Sequence, residues 1–275
     1  MAANQSVAGT AFIVAEFRAE ENAEAHPLYR DPIVPLFLSD ETRKAAEHIA
    51  ASFPPIKKLV KIRTRYFDDR LDKQLHLGFR QVVILGAGLD TRSIRKQAPG
   101  VVYFELDDGS TLSFKKSRLE EHHHLGGVTY ISANYVTDGL IQLLTQHGFD
   151  FGSPAHFIWE GDTVYLTAAS VRQVMVDIAR HVRQFTLSFD YFTEEVIAKM
   201  TSDPRVTSIA GSFAARGAPW IYAIADIRAL AEEAAMTIAD NIKTAELHRA
   251  YWPDEPLDSP IYDHYFLCPL ESPAR

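Results

Sequence analysis

Gly86-Ala-Gly88-Leu89-Asp90-Thr91 follows a short β-branched and apolar run, Gln81 to Leu85, and leads into a helical stretch. Glycines at such a junction permit a tight turn and let a ligand approach the backbone, while the helix start presents unpaired N–H groups. A dinucleotide fingerprint needs a third glycine at position 91, where this chain has Thr91. Close approach of a diphosphate is therefore not provided for, which weighs against a dinucleotide-dependent oxidoreductase. The next apolar run, Val101 to Leu106, leads into Asp107 and Asp108. A carboxylate about 20 residues past the glycines is where a ribose diol is gripped, because it accepts from both hydroxyls. Alternation puts Glu105 and Asp107 on one face, so either can serve; Asp108 reads as a solvated loop carboxylate. Glycines and a ribose-binding acid without a diphosphate loop point to a nucleoside cofactor that lacks phosphates, of which S-adenosylmethionine is the common one.

The elements that would carry these residues alternate. Strands are predicted at Gln81 to Leu85, Val101 to Leu106, Val128 to Ala133, Ala155 to Trp159 and Phe185 to Phe189. Between them helices are predicted up to Gln97, over Lys115 to Glu121, Asp138 to His147 and Ala168 to His181. The last carries Val171, Val174, Met175, Ile178 and Val182 along one stripe. Strands and helices in alternation imply a doubly wound, Rossmann-like α/β sheet with helices on both faces. Ligands then bind beyond the carboxyl ends of the strands. Before the first strand the chain is helical over Thr10 to Glu24, Asp40 to Ser52 and Ile56 to Lys73. Residues 1–75 are thus expected to form an N-terminal helical cap and 76–275 the cofactor-binding core, as one structural unit. The tail after Thr193 is expected to hold two or three helices and late strands near Met236 to Ile242 and Tyr262 to Leu267.

Composition bounds the remaining possibilities. The chain has 275 residues, 47% of them hydrophobic, and 36 acidic against 28 basic side chains for a formal charge of -8. An acidic balance disfavours nucleic acid, whose binders use cationic side chains to displace counterions. No window reaches the roughly 18 apolar residues of a membrane span, and Met1 to Thr10 lacks the features of a secretory signal. A cytoplasmic enzyme is the expectation. The single cysteine, Cys268, in the apolar run Tyr265-Phe-Leu-Cys268, excludes an internal disulfide and a multi-thiolate zinc site and reads as a small buried hydrophobe. His122-His123-His124 reads as a solvated loop and not as a metal site, since adjacent histidines point apart.

The stretch Val82 to Arg92, VVILGAGLDTR, resembles the signature of the leucine carboxyl methyltransferase family and its bacterial relatives, which include polyketide O-methyltransferases. TAFIVAEFRAEE (Thr10 to Glu21), PLYRDPIV (Pro27 to Val34) and VKIRTRYFDD (Val60 to Asp69) are similar to the bacterial branch. YFELD (Tyr103 to Asp107) and HFIWEGDTVYLT (His156 to Thr167) follow in the same order. The resemblance implies S-adenosylmethionine as cofactor. It implies Gly86, Gly88 and Asp90 around the methionine end, Asp107 on the ribose, and Arg63 on the carboxylate with Arg18 a second candidate. It also implies Glu160 near the amine and the acceptor. Where the family has Asp-Leu after the third strand, this chain has Asn134-Tyr135; Asn134 can bond the adenine edge and Tyr135 can stack on it.

Methyl transfer is an in-line displacement that asks the protein mainly for alignment, worth roughly 7–11 kcal/mol in favourable cases. A carboxylate acceptor is already ionised at neutral pH, whereas a phenol or alcohol wants a positioned base. The histidines offer no isolated candidate at a strand end except His156, which begins its strand and so faces the wrong edge; this leans toward a carboxylate on a small molecule or a peptide. Trp159, Trp220 and Trp252 are candidates for an acceptor pocket or for core packing, and Ser212 to Trp220 for an acceptor wall. A cofactor-binding regulator without turnover is the alternative from another class. Acceptor identity and oligomeric state are not encoded in these motifs.

Overall fold

The computed structural model describes residues 7–124, 126–198 and 203–274, with side chains from Gly9 onward. The first residues of the expected cap lie outside them. Helices α1 (Val7–Glu20), α2 (Asp40–Ser52) and α3 (Pro55–His76) precede β1 (Gln81–Leu85). Then come α4 (Arg92–Arg95), β2 (Val102–Asp107), α5 (Gly109–Glu121), β3 (Val128–Ser132), α6 (Leu140–Gln146), β4 (Ala155–Trp159) and α7 (Ala168–His181). The chain closes with β5 (Phe185–Phe192), α8 (Glu194–Ile197), α9 (Pro204–Ala214), α10 (Ile227–Glu233), β6 (Thr237–Ile238), β7 (Ile242–Lys243), α11 (Thr244–Tyr251) and β8 (Tyr265–Glu271).

The strands form one sheet in the order β3-β2-β1-β4-β5-β8-β6, with β7 also on β8. β1 to β5 run parallel and β8 is antiparallel to β5. The order reverses between β1 and β4, the switch point where such sheets bind ligands. Alternate residues serve opposite faces, as the pleat requires. Val82 and Ile84 join the core under α3 and α11, while Val83 and Leu85 join the core under α6 and α7.

Local chemistry explains the boundaries. Ser39 and Thr42 form a reciprocal capping box that starts α2, and Pro55 supplies the fixed φ that opens α3. The Asp108 carboxylate accepts from the N–H groups of Ser110 and Thr111, so it caps α5 and is not a free loop charge. That cap starts the helix at Gly109, six residues ahead of the predicted Lys115. The helix predicted up to Gln97 is confined to Arg92–Arg95. The late strand predicted across Met236 to Ile242 is two short strands separated by the Ala239–Asn241 turn.

The helices before β1 do not sit apart from the sheet. Ile13 and Phe17 of α1, Ile49 of α2 and Leu59, Ile62 and Phe67 of α3 share one core with Val82, Ile84 and Ile158. A buried ion pair, Lys115 Nζ to Glu105 Oε2 at 2.6 Å with both side chains fully covered, pins α5 to β2. No helix among the described residues is long and apolar enough to cross a membrane.

Candidate active site

The carboxyl ends of β1, β2 and β4 open into one cavity of about 330 Å³. Arg18, Arg63, Gly86, Gly88, Asp90, Asp107, Asn134, Tyr135 and Glu160, the site residues expected from the sequence, all line it. They differ in what their polar atoms do.

Gly86 takes a φ of +59°, and a Cβ there would lie 2.7 Å from the Asp162 carboxylate, so the turn after β1 needs a glycine. The N–H of Gly88 donates to Asp107 Oδ2 at 2.5 Å, and the N–H of Asp108 donates to Asp107 Oδ1 at 2.6 Å. Each carboxylate oxygen keeps a lone pair for a further donor. Burial pushes the Asp107 carboxyl up to about 7, against the pull of those two N–H groups. Glu105, the other candidate for the ribose, is fully buried beneath, bonded to Ser93 and Lys115, and does not line the cavity.

Arg63 of α3 donates from Nε to Glu160 Oε1 at 2.8 Å and from an Nη to the Tyr265 hydroxyl at 2.9 Å. Gly161 has a φ of +69°, and a Cβ there would fall 2.7 Å from the guanidinium, so the bare backbone after Glu160 lets Arg63 lie against it. Glu160 Oε2 accepts from Arg92 at 2.6 Å. Arg92 is buried and also holds Asp68 at 2.7 Å and Asp90 at 2.5 Å. An arginine and a glutamate side by side at a cavity edge can receive the carboxylate and the ammonium of one amino-acid group.

Three expected residues are turned toward the protein. Arg18 donates to Asp31, to the Thr91 hydroxyl at 2.7 Å and to the Leu89 carbonyl at 3.0 Å, which ties α1 to the turn after β1. Asp90 accepts from Arg92; burial opposes its charge, but the Arg92 and Arg18 guanidiniums win and hold it well below the usual carboxylate range. The Tyr135 hydroxyl is held between Asp162 and Trp159 Nε1, its ring edge-on to Trp159. Asn134 accepts through Oδ1 from the N–H of Val136 at 3.1 Å, an Asx turn, and its amide nitrogen has no partner among the described residues.

Sequence reasoning missed Asp162, Asp190 and Tyr265. Asp162 carried a signal, since it sits two residues past Glu160 in a strand-end run. Asp190 carried little, because its partner Tyr265 reaches it only through the antiparallel pairing of β5 with β8. Asp190 accepts from the Gly161 N–H at 2.6 Å and from the Tyr265 hydroxyl, and lies 3.7 Å from Arg63. Burial raises its carboxyl to about 6, opposed by Arg63 and by the Tyr265 and Gly161 bonds.

Much of the cavity lining is apolar. Ile13, Val14 and Phe17 of α1 and Ile56, Leu59 and Val60 of α3 line it, as do Phe192, Phe213 and Trp220. Of the three tryptophans only Trp220 lines the cavity; Trp159 is core and Trp252 packs on His248. His156 is fully buried, and burial presses its ring down to about 3, so it stays neutral. Cys268 is buried, and burial pushes its thiol up, as fits a small core residue.

The donor set fits S-adenosylmethionine: a carboxylate with spare lone pairs that can take a diol, the Asn134 amide in the cavity wall, and an Arg–Glu pair that can take an amino-acid group. Comparison with known proteins agrees. Residues 11–179 match the family described as leucine carboxyl methyltransferase. A Mycolicibacterium smegmatis protein provisionally named an S-adenosyl-L-methionine-dependent methyltransferase is 31% identical over 70% of this chain and 68% of its own length. Mycobacterium tuberculosis relatives with the same provisional name are 33% identical over 63% of this chain, a match that spans 57% of their length. A DUF574 family protein from Streptomyces avermitilis superposes with a TM-score of 0.65 at 15% identity, covering 94% of this chain and 97% of its own. A Thermobifida fusca protein provisionally described as a methyltransferase gives 0.64 at 14% identity, covering 98% and 95%. These two share the fold. The chain belongs to the leucine carboxyl methyltransferase family and is an enzyme that uses S-adenosylmethionine as its methyl donor.

Proposed function

We propose that this enzyme is an O-methyltransferase acting on a small, largely apolar acceptor through a carboxylate or hydroxyl oxygen. The observation that carries this reading is the composition of the cavity lining. Its polar lining includes Gly86, Asp107, Arg63 and Glu160, and its apolar lining comes from α1, α3, Phe192, Phe213 and Trp220. A flexible peptide would bring backbone polar groups that such walls leave unpaired, at a cost of about 1–3 kcal/mol each. A compact apolar molecule meets no such cost.

The cofactor supplies an electrophilic methyl on a sulfonium. Asp107 holds the ribose through the oxygen lone pairs left free by Gly88 and Asp108, and Asn134 meets the adenine. Arg63 takes the methionine carboxylate while Glu160, held by Arg92, receives the ammonium. α1 and α3 exclude water from the acceptor side, and Arg18 holds α1 against the cofactor turn. Alignment of oxygen and methyl then supplies most of the rate.

The test is release of S-adenosylhomocysteine from S-adenosylmethionine with parallel panels of aromatic carboxylic acids, phenols and C-terminal peptides. Turnover with small apolar acceptors and none with peptides supports the reading. Turnover with peptides alone would overturn it, as would cofactor binding without turnover on any panel, the behaviour of a regulatory binding module.

A further inference from the structure

The cavity lining is acidic, and its few cations are engaged. Asp90, Asp107, Asp108, Glu160, Asp162 and Asp190 line it, against Arg18 and Arg63. Arg18 is occupied by Asp31, Thr91 and the Leu89 carbonyl. Arg63 is bonded to Glu160 and Tyr265 and, on the reading above, receives the methionine carboxylate. An acceptor carboxylate would meet Glu160 and Asp190 with no further cation among the described lining residues to pair it, and a partly desolvated unpaired charge is costly. A neutral hydroxyl would not.

The apolar side has a particular shape. The Tyr265 ring stacks on Phe192 at 4.3 Å between centroids with planes 21° apart, and Phe192 stacks on Trp220 at 4.9 Å and 21°. Trp220 stacks on Phe213 at 5.4 Å and 26°. This ladder of near-parallel rings ends at the Tyr265 hydroxyl, which donates to Asp190. A flat ring gains from such a wall beyond simple burial. Its polar substituent would then lie toward Asp190 and Glu160.

We propose that the acceptor is a hydroxyl on a flat apolar ring seated against the Tyr265–Phe192–Trp220–Phe213 ladder, and that Asp190 accepts its proton. This rests on the methyl-transfer reading and deepens it. The acceptor O–H bond breaks and its proton passes to the Asp190 carboxylate. The electron pair left on oxygen forms the new O–CH₃ bond as the S–CH₃ bond breaks, its pair staying on the sulfur of S-adenosylhomocysteine. Asp190 returns the proton to water when product leaves. Tyr265 is a positioning residue that orients Asp190 and favours its ionised form. The groups facing Asp190 are Arg63 from α3, Glu160 and the Gly161 N–H after β4, and Tyr265 from β8, while the Thr163 hydroxyl donates to its backbone carbonyl. Arg63 and the hydrogen-bond donors favour the carboxylate against burial and Glu160, and burial prevails to leave it near 6, so a base is available at neutral pH.

2-Naphthol and 2-naphthoate share one flat ring system and differ in the acceptor group. Calorimetric titration of the S-adenosylhomocysteine-loaded enzyme should show naphthol bound at least about tenfold more tightly than naphthoate, a difference of about 1.4 kcal/mol. With S-adenosylmethionine, Asp190→Asn should lower kcat for naphthol by about 100-fold or more while S-adenosylhomocysteine affinity stays within about twofold, and the acidic limb of the kcat profile should vanish. Tyr265→Phe should keep that limb but move it to higher pH. Equal or tighter binding of naphthoate overturns the proposal. So does naphthol binding without wild-type turnover, or an Asp190→Asn enzyme that keeps its rate and limb. If the wild-type protein takes up no S-adenosylhomocysteine, the methyl-transfer reading itself fails, a result distinct from all of these.

Discussion

Arg63 and Glu160 stand 2.8 Å apart at the edge of the cavity although 97 residues separate them in the chain. One comes from a helix that precedes the whole sheet and the other from the end of its fourth strand. The N-terminal helices therefore line the cavity together with the sheet, and on the proposed role of Arg63 they complete the cofactor site; the long α3 is anchored there by both Arg63 and the Asp68 bond to Arg92.

Asp107 should make cofactor affinity depend on pH. Its carboxyl sits near 7 in the free protein, above its value of about 4 in an unfolded chain. Its contribution to folding is therefore full below about pH 4 and is lost as pH rises through 7. Ribose hydroxyls donate to the ionised form, so affinity should rise between about pH 6 and 8 with release of up to one proton. Calorimetry in buffers of different ionisation enthalpy reads both. Asp107→Ala should cost about 10- to 100-fold in affinity, the loss of hydrogen bonds to a charged group, and abolish the pH dependence. Unchanged affinity would remove Asp107 from the ribose.

Arg18 should link stability to cofactor binding without touching the cofactor. Arg18→Met frees α1 from Leu89 and Thr91 and strips the buried Asp31 of its nearest cation, leaving Arg95 at 3.7 Å. A loss of about 3–5 kcal/mol is expected for breaking a buried pair. Urea unfolding measures it, and S-adenosylhomocysteine affinity should fall in the same variant. Loss of affinity with full stability would instead place Arg18 on the cofactor.

Lys115 should matter for folding alone. Lys115→Met leaves Glu105 buried without its cation, with the Ser93 hydroxyl as its remaining partner among the described residues, and should destabilise by about 3–5 kcal/mol. Adding Glu105→Gln should recover part of that loss. The cofactor affinity of whatever protein remains folded should match wild type, because neither group lines the cavity.

Much of this was legible in the sequence, for identifiable reasons. Local signals decide β1, β4, α2 and α7, whose bounds coincide with the predicted ones: apolar runs closed by glycine or an acid, and helices opened by Ser39 and Thr167. The glycine turn, Asp107 and Glu160 stand at strand ends, which topology alone places together. Two things were not legible. Competition among charges for partners decides that Arg18 and Asp90 bond inward, and that depends on Asp31 and Arg92 arriving from elsewhere. The meeting of Asp190 and Tyr265 depends on antiparallel register, with Phe192 opposite Tyr265 and Asp190 opposite Leu267, which leaves no local trace. β5 runs on to Phe192, past the predicted Phe189, for the same reason.

The most direct test of the cofactor assignment is a paired calorimetric titration of wild-type and Arg63→Met enzyme with S-adenosylhomocysteine and with 5′-methylthioadenosine, which lacks the amino-acid end. Arg63→Met should weaken S-adenosylhomocysteine by about tenfold or more, as expected for a lost charge-assisted pair, and leave methylthioadenosine within about twofold. Equal affinity of both enzymes for S-adenosylhomocysteine, or an equal loss for both ligands, would contradict the assignment.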